Sequence, residues 1–102
     1  MLTEKINKFI DANLSDATPE ALCRHLNMSR TSLYQKFSEE TKKGLSEYIT
    51  ERRLASSKRL LKSTDFSISE IARMVGYSDY NYFSKVFRRH FGKTPHMYRK
   101  AK

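Results

Sequence analysis

The fold is decided by residues 68–98, which read ISEIARMVGYSDYNYFSKVFRRHFGKTPHMY. Ser67 and Glu70 form a Ser-x-x-Glu capping box, which predicts the start of a short helix. Gly76 then breaks the helical pattern, and Ser78 is the expected cap of a second helix. The apolar positions that helical spacing places on the inner faces of these two helices are Ile71, Ala72, Val75, Phe83, Val86 and Phe87.

The same stretch carries further helix-end and helix-start signals. Gly92 is expected to close the second helix, because glycine is the residue that most readily adopts the left-handed conformation found there. Thr94 followed by Pro95 is a capping residue before a proline at the first helical position. A last turn or two through Met97 and Tyr98 is therefore predicted.

A similar pattern occurs in the first half of the chain. Thr18 before Pro19 predicts a short helix, and Ser29 can cap a helix whose inner face carries Leu33 and Phe37. In the second stretch the apolar pair stands one residue later relative to its expected cap. The corresponding residues are Leu22 and Ile71, Cys23 and Ala72, Leu26 and Val75, Ser29 and Ser78, Leu33 and Phe83, Phe37 and Phe87, and Tyr48 and Tyr98. The sequence therefore predicts a duplicated helix-turn-helix.

Two more helices complete the predicted fold. An N-terminal helix is indicated by apolar residues at helical spacing, namely Leu2, Ile6, Phe9 and Ile10. A longer helix over residues 45–62 has the candidate buried positions Leu45, Tyr48, Ile49, Leu54, Leu60 and Leu61. Its basic residues include Arg52, Arg53, Lys58, Arg59 and Lys62. No strand pattern competes, so the expected class is all-α with seven helices, in which the linker helix 45–62 joins two helix-turn-helix subdomains, 1–44 and 63–102.

The charge of the chain points to a polyanionic partner. The 102 residues (12.0 kDa) include 20 Lys and Arg against 11 Asp and Glu, which gives a net charge of +9 and a pI near 9.9. Residues 1–51 carry seven basic and eight acidic side chains, and residues 52–102 carry thirteen and three, so the net charges are −1 and +10. Nucleic acid is the first candidate partner, and an anionic membrane surface is the second.

Other classes of function find little support in the sequence. One cysteine, Cys23, excludes an internal disulfide, and it stands where the second unit has Ala72, so a small buried apolar role is expected. His25, His90 and His96 are not spaced as zinc ligands, and we expect no metal and no cofactor. No catalytic grouping can be assembled, so an enzyme is not expected. The absence of a signal peptide or membrane-length apolar run favours the cytoplasm.

The chain resembles one known family along nearly its whole length. The motifs that carry the resemblance are Leu33-Tyr34-Gln35-Lys36-Phe37, Glu47-Tyr48-Ile49, Arg53-Leu54, Ile68-x-Glu70-Ile71-Ala72-x-x-Val75-Gly76-Tyr77-Ser78, Tyr82-Phe83-Ser84-Lys85-Val86-Phe87 and Phe91-Gly92-x-Thr94-Pro95-x-x-Tyr98-Arg99. They resemble the DNA-binding domain of the AraC/XylS transcription regulators. The resemblance implies that two recognition helices enter successive major grooves on one face of double-stranded DNA.

The resemblance also implies which residues contact DNA. The expected base contacts are Arg30, Thr31, Tyr34, Gln35, Tyr80, Asn81, Ser84 and Lys85. Gln and Asn can pair bidentately with adenine, and Arg and Lys with guanine. The expected phosphate contacts, from charge and from the free N–H groups at helix starts, are Ser29, Lys36, Ser78, Arg88 and Arg89. For the basic residues of the linker helix, a solvated face and direct phosphate contact both stay open.

The sequence departs from the family pattern at three positions. The family usually has a glycine where Lys42 stands, and Gly44 follows two residues later. Arg52 and Ser57 take linker-helix positions that are more often apolar or alanine, so looser packing is expected there.

The resemblance implies partners as well. RNA polymerase is expected as a second partner, since activation is the family's commoner mode. Family members usually carry a separate sensor or dimerisation domain, and we expect this chain to be the C-terminal part of a longer activator. The alternative is a non-specific architectural or RNA-binding basic helical protein.

Overall fold

The computed structural model describes residues 1–101, and all of their regular structure is helical. The α-helices in this part of the chain are α1 (Leu2–Ala12), α2 (Pro19–Leu26), α3 (Arg30–Thr41), α4 (Leu45–Ser63), α5 (Ile68–Met74), α6 (Tyr80–Phe91) and α7 (Pro95–Lys100), with a 3₁₀ turn at Leu14–Asp16. The expected all-α class with seven helices is confirmed. Within the same residues, no helix combines the length and apolar composition that crossing a membrane requires.

The described chain divides into two compact units. The first is Met1–Arg52 and the second begins at Arg53, so the division falls within α4. Each unit contains one helix-turn-helix, α2 and α3 in the first and α5 and α6 in the second.

The first unit is built around an apolar cluster to which α1, α2, α3 and the start of α4 contribute. Its buried residues are Ile6, Ile10, Ala17, Leu22, Leu33, Phe37, Leu45 and Ile49. Polar contacts fasten α1 to this unit from the outside. The backbone N–H and the hydroxyl of Thr3 both donate to Glu40 Oε1, at 3.1 and 2.7 Å, and they lower the pKa of Glu40. The Arg52 guanidinium donates to Asn7, at 2.6 Å, and to Asp11.

The second unit has a core rich in aromatic rings. Its buried apolar residues are Leu54, Leu61, Ile71, Ala72, Val75, Tyr77, Phe83, Val86, Phe87 and Pro95. The Phe87 ring lies 4.7 Å from that of Phe91 and 5.8 Å from that of Tyr98, in edge contacts. Arg99 on α7 donates to the carbonyls of Leu61 and Thr64, both at 3.1 Å, and so satisfies acceptors at the C-terminal end of α4.

The helix α4 is better packed than its unusual residues suggest. Leu45, Ile49, Leu54 and Leu61 are buried as expected, while Tyr48 and Leu60 are half-buried. Ser57 is fully buried, and its hydroxyl donates to the Leu54 carbonyl at 2.7 Å, which pairs the only polar group of its side chain. Arg52 is held by Asn7 and Asp11, so neither departure leaves an unpaired group in α4.

The start of α6 corrects one sequence interpretation. Asp79, and not Ser78, is the N-cap: its carboxylate accepts from the backbone N–H groups of Asn81 and Tyr82. The cap therefore stands four residues before Phe83, just as Ser29 stands four residues before Leu33. The extra residue of the second helix-turn-helix belongs to its turn, and the two recognition helices share one register.

The end of α3 shows how the loop before α4 keeps its geometry without the usual glycine. Lys42 adopts the left-handed conformation itself, with φ 63°, and its N–H donates to the Ser38 carbonyl. Gly92 does the same at the end of α6, with φ 78°. Lys42 thus occupies the glycine position of the repeat at some cost in backbone energy.

Lys42→Gly is therefore expected to raise the free energy of unfolding by about 0.5–1 kcal/mol, because glycine adopts this conformation without strain. Thermal or denaturant unfolding measures the gain. Lys42→Ala is the matched control, since it removes the same charge but keeps the β-carbon. An equal gain in both variants would assign the effect to charge instead of backbone strain.

Candidate nucleic-acid interface

The residues predicted to contact bases occupy equivalent positions in the two helix-turn-helix units. With the common register, they are the first, second, fifth and sixth residues of each recognition helix: Arg30, Thr31, Tyr34 and Gln35 in α3, and Tyr80, Asn81, Ser84 and Lys85 in α6. These positions fall on one side of a helix with 3.6 residues per turn. The fourth and eighth residues, Leu33 and Phe37 or Phe83 and Phe87, are buried and anchor each helix.

The predicted base-contact residues are accessible within each unit. Six of them are exposed, while Tyr34 and Ser84 are half-buried. Each helix therefore presents a polar, hydrogen-bonding face outward from an apolar anchor, which is the arrangement that a groove-reading helix requires.

In the first unit this face borders an open hollow of about 610 Å³. Its lining residues are Arg30, Thr31, Tyr34, Gln35, Ser38, Gly44 and Leu45. All four predicted base-contact residues of α3 are among them. No local sequence signal indicates the contributions from Gly44 and Leu45, which are brought there by the turn between α3 and α4.

A hydrogen-bonded network fixes part of that surface. Arg30 Nη1 donates to Glu20 Oε1 at 2.8 Å, and Arg30 Nη2 donates to the Tyr34 hydroxyl at 3.2 Å. The Tyr34 hydroxyl also shares a hydrogen bond of 3.1 Å with Ser46 Oγ. Tyr34 first, and then Glu20, raise the pKa of the Arg30 guanidinium above its ordinary value. Neither Glu20 nor Ser46 was identified from the sequence.

The second unit presents two exposed tyrosines at the start of α6. Tyr80 is 42% exposed and Tyr82 is 58% exposed, whereas Tyr77 is buried against the Phe83 ring at 5.4 Å. Core aromatics and two surface tyrosines therefore account for this cluster. Tyr82 is the third residue of α6 and was not among the predicted contact residues.

The predicted phosphate contacts are all exposed. Ser29 caps α3 by accepting from the Ser32 N–H at 3.1 Å. Ser78 lies in the turn and is not a cap, so the capping argument for its phosphate contact is wrong. Arg88 and Arg89 lie in the last turns of α6, where a cation also interacts favourably with the helix dipole. Lys36 lies at the middle of α3.

The two recognition helices differ in charge toward their C-terminal ends. The ninth and tenth residues of α6 are Arg88 and Arg89, and those of α3 are Ser38 and Glu39. At these two positions the second unit therefore has two cationic side chains, whereas the first unit has one neutral and one acidic side chain.

The last three basic residues of α4, Lys58, Arg59 and Lys62, differ in their surroundings. Lys58 Nζ lies 4.4 Å from the centre of the Phe91 ring and 5.3 Å from that of Tyr98, and Lys62 Nζ lies 4.7 Å from that of Tyr98. These two ammonium groups are attracted to ring faces inside their own unit. Arg59 is exposed, so a solvated position and direct phosphate contact both stay open for it.

Residues 1–101 contain no group of three or more His, Cys, Asp or Glu side chains that could hold a metal ion. Cys23 packs against the apolar cluster of the first unit, as expected of a small apolar residue, but it is half-buried and not buried.

Comparison with known proteins places this architecture in a family. A helix-turn-helix domain family matches residues 22–101, a segment that includes every predicted DNA contact. A solved Chromobacterium violaceum transcriptional regulator, described as containing an AraC-type DNA-binding domain, superposes with a TM-score of 0.83 at 30% identity, over 96% of this chain and 88% of that one. The chain belongs to the AraC/XylS-type helix-turn-helix family. The family resemblance inferred from the sequence is thereby confirmed.

Two further similar proteins are informative. The raffinose operon transcriptional regulatory protein RafR of Pediococcus pentosaceus is 37% identical over 103 residues, which cover 97% of this AraC/XylS-type chain and 37% of RafR. The DNA-binding domain of AdpA, solved in complex with a target DNA, has a TM-score of 0.86 at 26% identity and covers 96% of this chain and 88% of that one. The chain spans 19% to 37% of the length of the first curated relatives that it matches.

Proposed function

We propose that this chain is a sequence-specific double-stranded DNA-binding domain of a bacterial transcription regulator, in which α3 and α6 each read base edges in a major groove. The observation that carries the proposal is the equivalence of two exposed polar faces, each on the second helix of a helix-turn-helix. A single match of this kind occurs in many small helical bundles. Two matches in the same register, in a chain with a net charge of +9, point to a duplex with two contacted segments.

Within this proposal the residues have different roles. Gln35 and Asn81 have amide groups that can pair bidentately with adenine, and Arg30 and Lys85 can donate to guanine O6 and N7. Thr31, Tyr34, Tyr80 and Ser84 complete the two base-facing surfaces. Ser29, Lys36, Arg88 and Arg89 are proposed to contact phosphates, and Ser78 is proposed to do so through its exposed hydroxyl and not as a cap. These contacts would fix the position of the domain on the duplex.

The domain is further proposed to lie in two successive major grooves and to be the output part of a longer protein of the bacterial cytoplasm. RafR, by its name, regulates a raffinose operon, and the chain spans only 37% of it. A sensor or dimerisation domain in the same polypeptide and contact with RNA polymerase are parts of this proposal. The AdpA complex with its target DNA supports the choice of duplex DNA as the partner.

Selection from a random duplex pool tests this function. The chain is expected to recover a motif with two conserved segments about one helical turn apart, and to bind that motif at least about a thousandfold more tightly than random duplex at physiological salt. Recovery of no motif, or tighter binding to double-stranded RNA than to the DNA pool, would favour a non-specific architectural or RNA-binding protein instead.

A further inference from the structure

An acidic side chain of α2 lies beside the first recognition helix, on the surface where the DNA phosphates are expected. Glu20 is the second residue of α2, and its carboxylate lies 2.8 Å from the guanidinium of Arg30, the first residue of α3. Both side chains are more than half exposed, at 57% and 62%. An exposed ion pair of this kind contributes little to stability. A negative charge beside a DNA-contacting residue also opposes phosphate binding, so the pair calls for another explanation.

Arg30 is the donor in both of its side-chain hydrogen bonds. Arg30 donates to Glu20 on one side and to the Tyr34 hydroxyl on the other, and the Arg30 Cζ lies 5.3 Å from the centre of the Tyr34 ring. The Tyr34 oxygen accepts from Arg30, and the same hydroxyl shares a hydrogen bond of 3.1 Å with Ser46 Oγ. Residues of α2, α3 and α4 are thereby joined through a single guanidinium, which is held at two points.

The held guanidinium keeps enough donors to read a base. Arginine has five N–H donors, of which Glu20 and Tyr34 engage two, and a bidentate contact with guanine needs two more. Without Glu20, a long arginine side chain is free to reach a backbone phosphate, a contact that carries no sequence information. The equivalent positions in α6 are Tyr80 and Ser84, which carry no positive charge that requires such a hold.

We propose that Glu20 is a specificity-determining positioning residue, which holds the Arg30 guanidinium in the major-groove orientation and away from the phosphates. The inference rests on the proposed function and deepens it. Glu20 lowers total affinity for DNA through its charge and raises discrimination at one base pair through Arg30. Tyr34 and Ser46 complete the hold from the other side, along the hollow that Arg30, Tyr34 and Gln35 line.

Binding to the wild-type selected duplex, to duplexes that each carry one replaced base pair, and to random duplex provides the test. Glu20→Gln keeps the size of the side chain and removes its charge. It is expected to reduce discrimination at a single base pair by roughly 5- to 10-fold, within the range for one bidentate contact, while binding to random duplex tightens. Glu39→Gln is the matched control, because Glu39 is an exposed carboxylate on α3 outside this network. It is expected to tighten both kinds of binding without changing base preference.

A second background isolates the role of Arg30. In Arg30→Ala, the additional change Glu20→Gln is expected to produce no further loss at that base pair. Equal effects of Glu20→Gln and Glu39→Gln on base preference, or an undiminished effect of Glu20→Gln without Arg30, would overturn the inference and leave the proposed function standing. A wild-type chain that selects no sequence would overturn the proposed function and the inference together. Thermal unfolding of each variant confirms that it is folded.

Discussion

Replacing Gly76 by alanine is expected to lower the free energy of unfolding of the second unit by about 2–4 kcal/mol. Two independent features combine at this turn between α5 and α6. Gly76 has φ 109°, a backbone conformation that residues with a β-carbon rarely adopt. A β-carbon there would also lie 2.8 Å from Arg53 Cζ and 2.9 Å from Arg53 Nε, and it would displace the guanidinium.

The Arg53 guanidinium that would be displaced contacts an aromatic ring of the second unit. Arg53 Cζ lies 5.8 Å from the centre of the ring of Tyr77, a residue that is buried against Phe83. Moving Arg53 therefore disturbs the support of the turn that sets the start of α6. Since small domains have only about 5–15 kcal/mol of stability in total, the expected loss is large.

The other glycines of the chain separate the two contributions. Gly92 has φ 78°, but a β-carbon added to it would meet no atom within 4 Å, so Gly92→Ala is expected to cost about 1 kcal/mol from the backbone alone. Gly44 has an open surrounding and no positive φ, so Gly44→Ala is expected to change stability by less than about 0.5 kcal/mol. Denaturant unfolding of the three variants gives the order. A loss in Gly76→Ala no greater than that in Gly92→Ala would show that Arg53 moves aside freely.

Replacing Arg88 and Arg89 together by alanine is expected to reduce the salt dependence of DNA binding by about two units of slope, and the affinity at about 50 mM salt by roughly a hundredfold. Both side chains are exposed on the last turns of α6, in the unit that carries the excess of positive charge. Each phosphate contact that is lost leaves one fewer condensed counterion to be released on binding.

The control for Arg88 and Arg89 is the pair of basic residues Arg30 and Lys36 in the first unit. Arg30 is already paired with Glu20, and the positions equivalent to Arg88 and Arg89 are occupied by Ser38 and Glu39. Neutralising Arg30 and Lys36 together is therefore expected to reduce the slope by less than neutralising Arg88 and Arg89. Titrations of a random duplex over a range of salt concentrations measure both slopes. A larger reduction from the first-unit pair would refute this division between phosphate binding and base reading.

Local signals in the sequence are sufficient to predict most of the fold. Thr18, Ser29, Ser67 and Thr94 all cap helices as expected, because capping is a contact between a side chain and N–H groups two or three residues away. The predicted cap of α6 is wrong because Ser78 and Asp79 are adjacent and both residue types cap helices well. The spacing of four residues from Ser29 to Leu33, applied backward from Phe83, identifies Asp79 and is present in the sequence.

The remaining features depend on contacts that no local pattern carries. Glu20 and Arg30 are ten residues apart and meet only because the turn after α2 brings the start of α3 beside that of α2. Arg99 reaches the end of α4 across 38 residues for the same kind of reason. Lys42 takes a left-handed conformation against its own preference, since the packing on both sides of the loop fixes the path of the backbone. The predicted DNA-contact residues remain a prediction, supported by their exposure and their common register.

In the proposed function, α3 and α6 each read their own base pairs. The base preference of Gln35→Ala and Lys85→Ala tests this, measured on the duplex that the wild-type chain selects and on its single-base-pair variants. Each substitution is expected to abolish preference at a different position, about one helical turn apart, at a cost of about 1–3 kcal/mol, with little change in binding to random duplex. Equal losses on selected and random duplex for both variants would contradict the account.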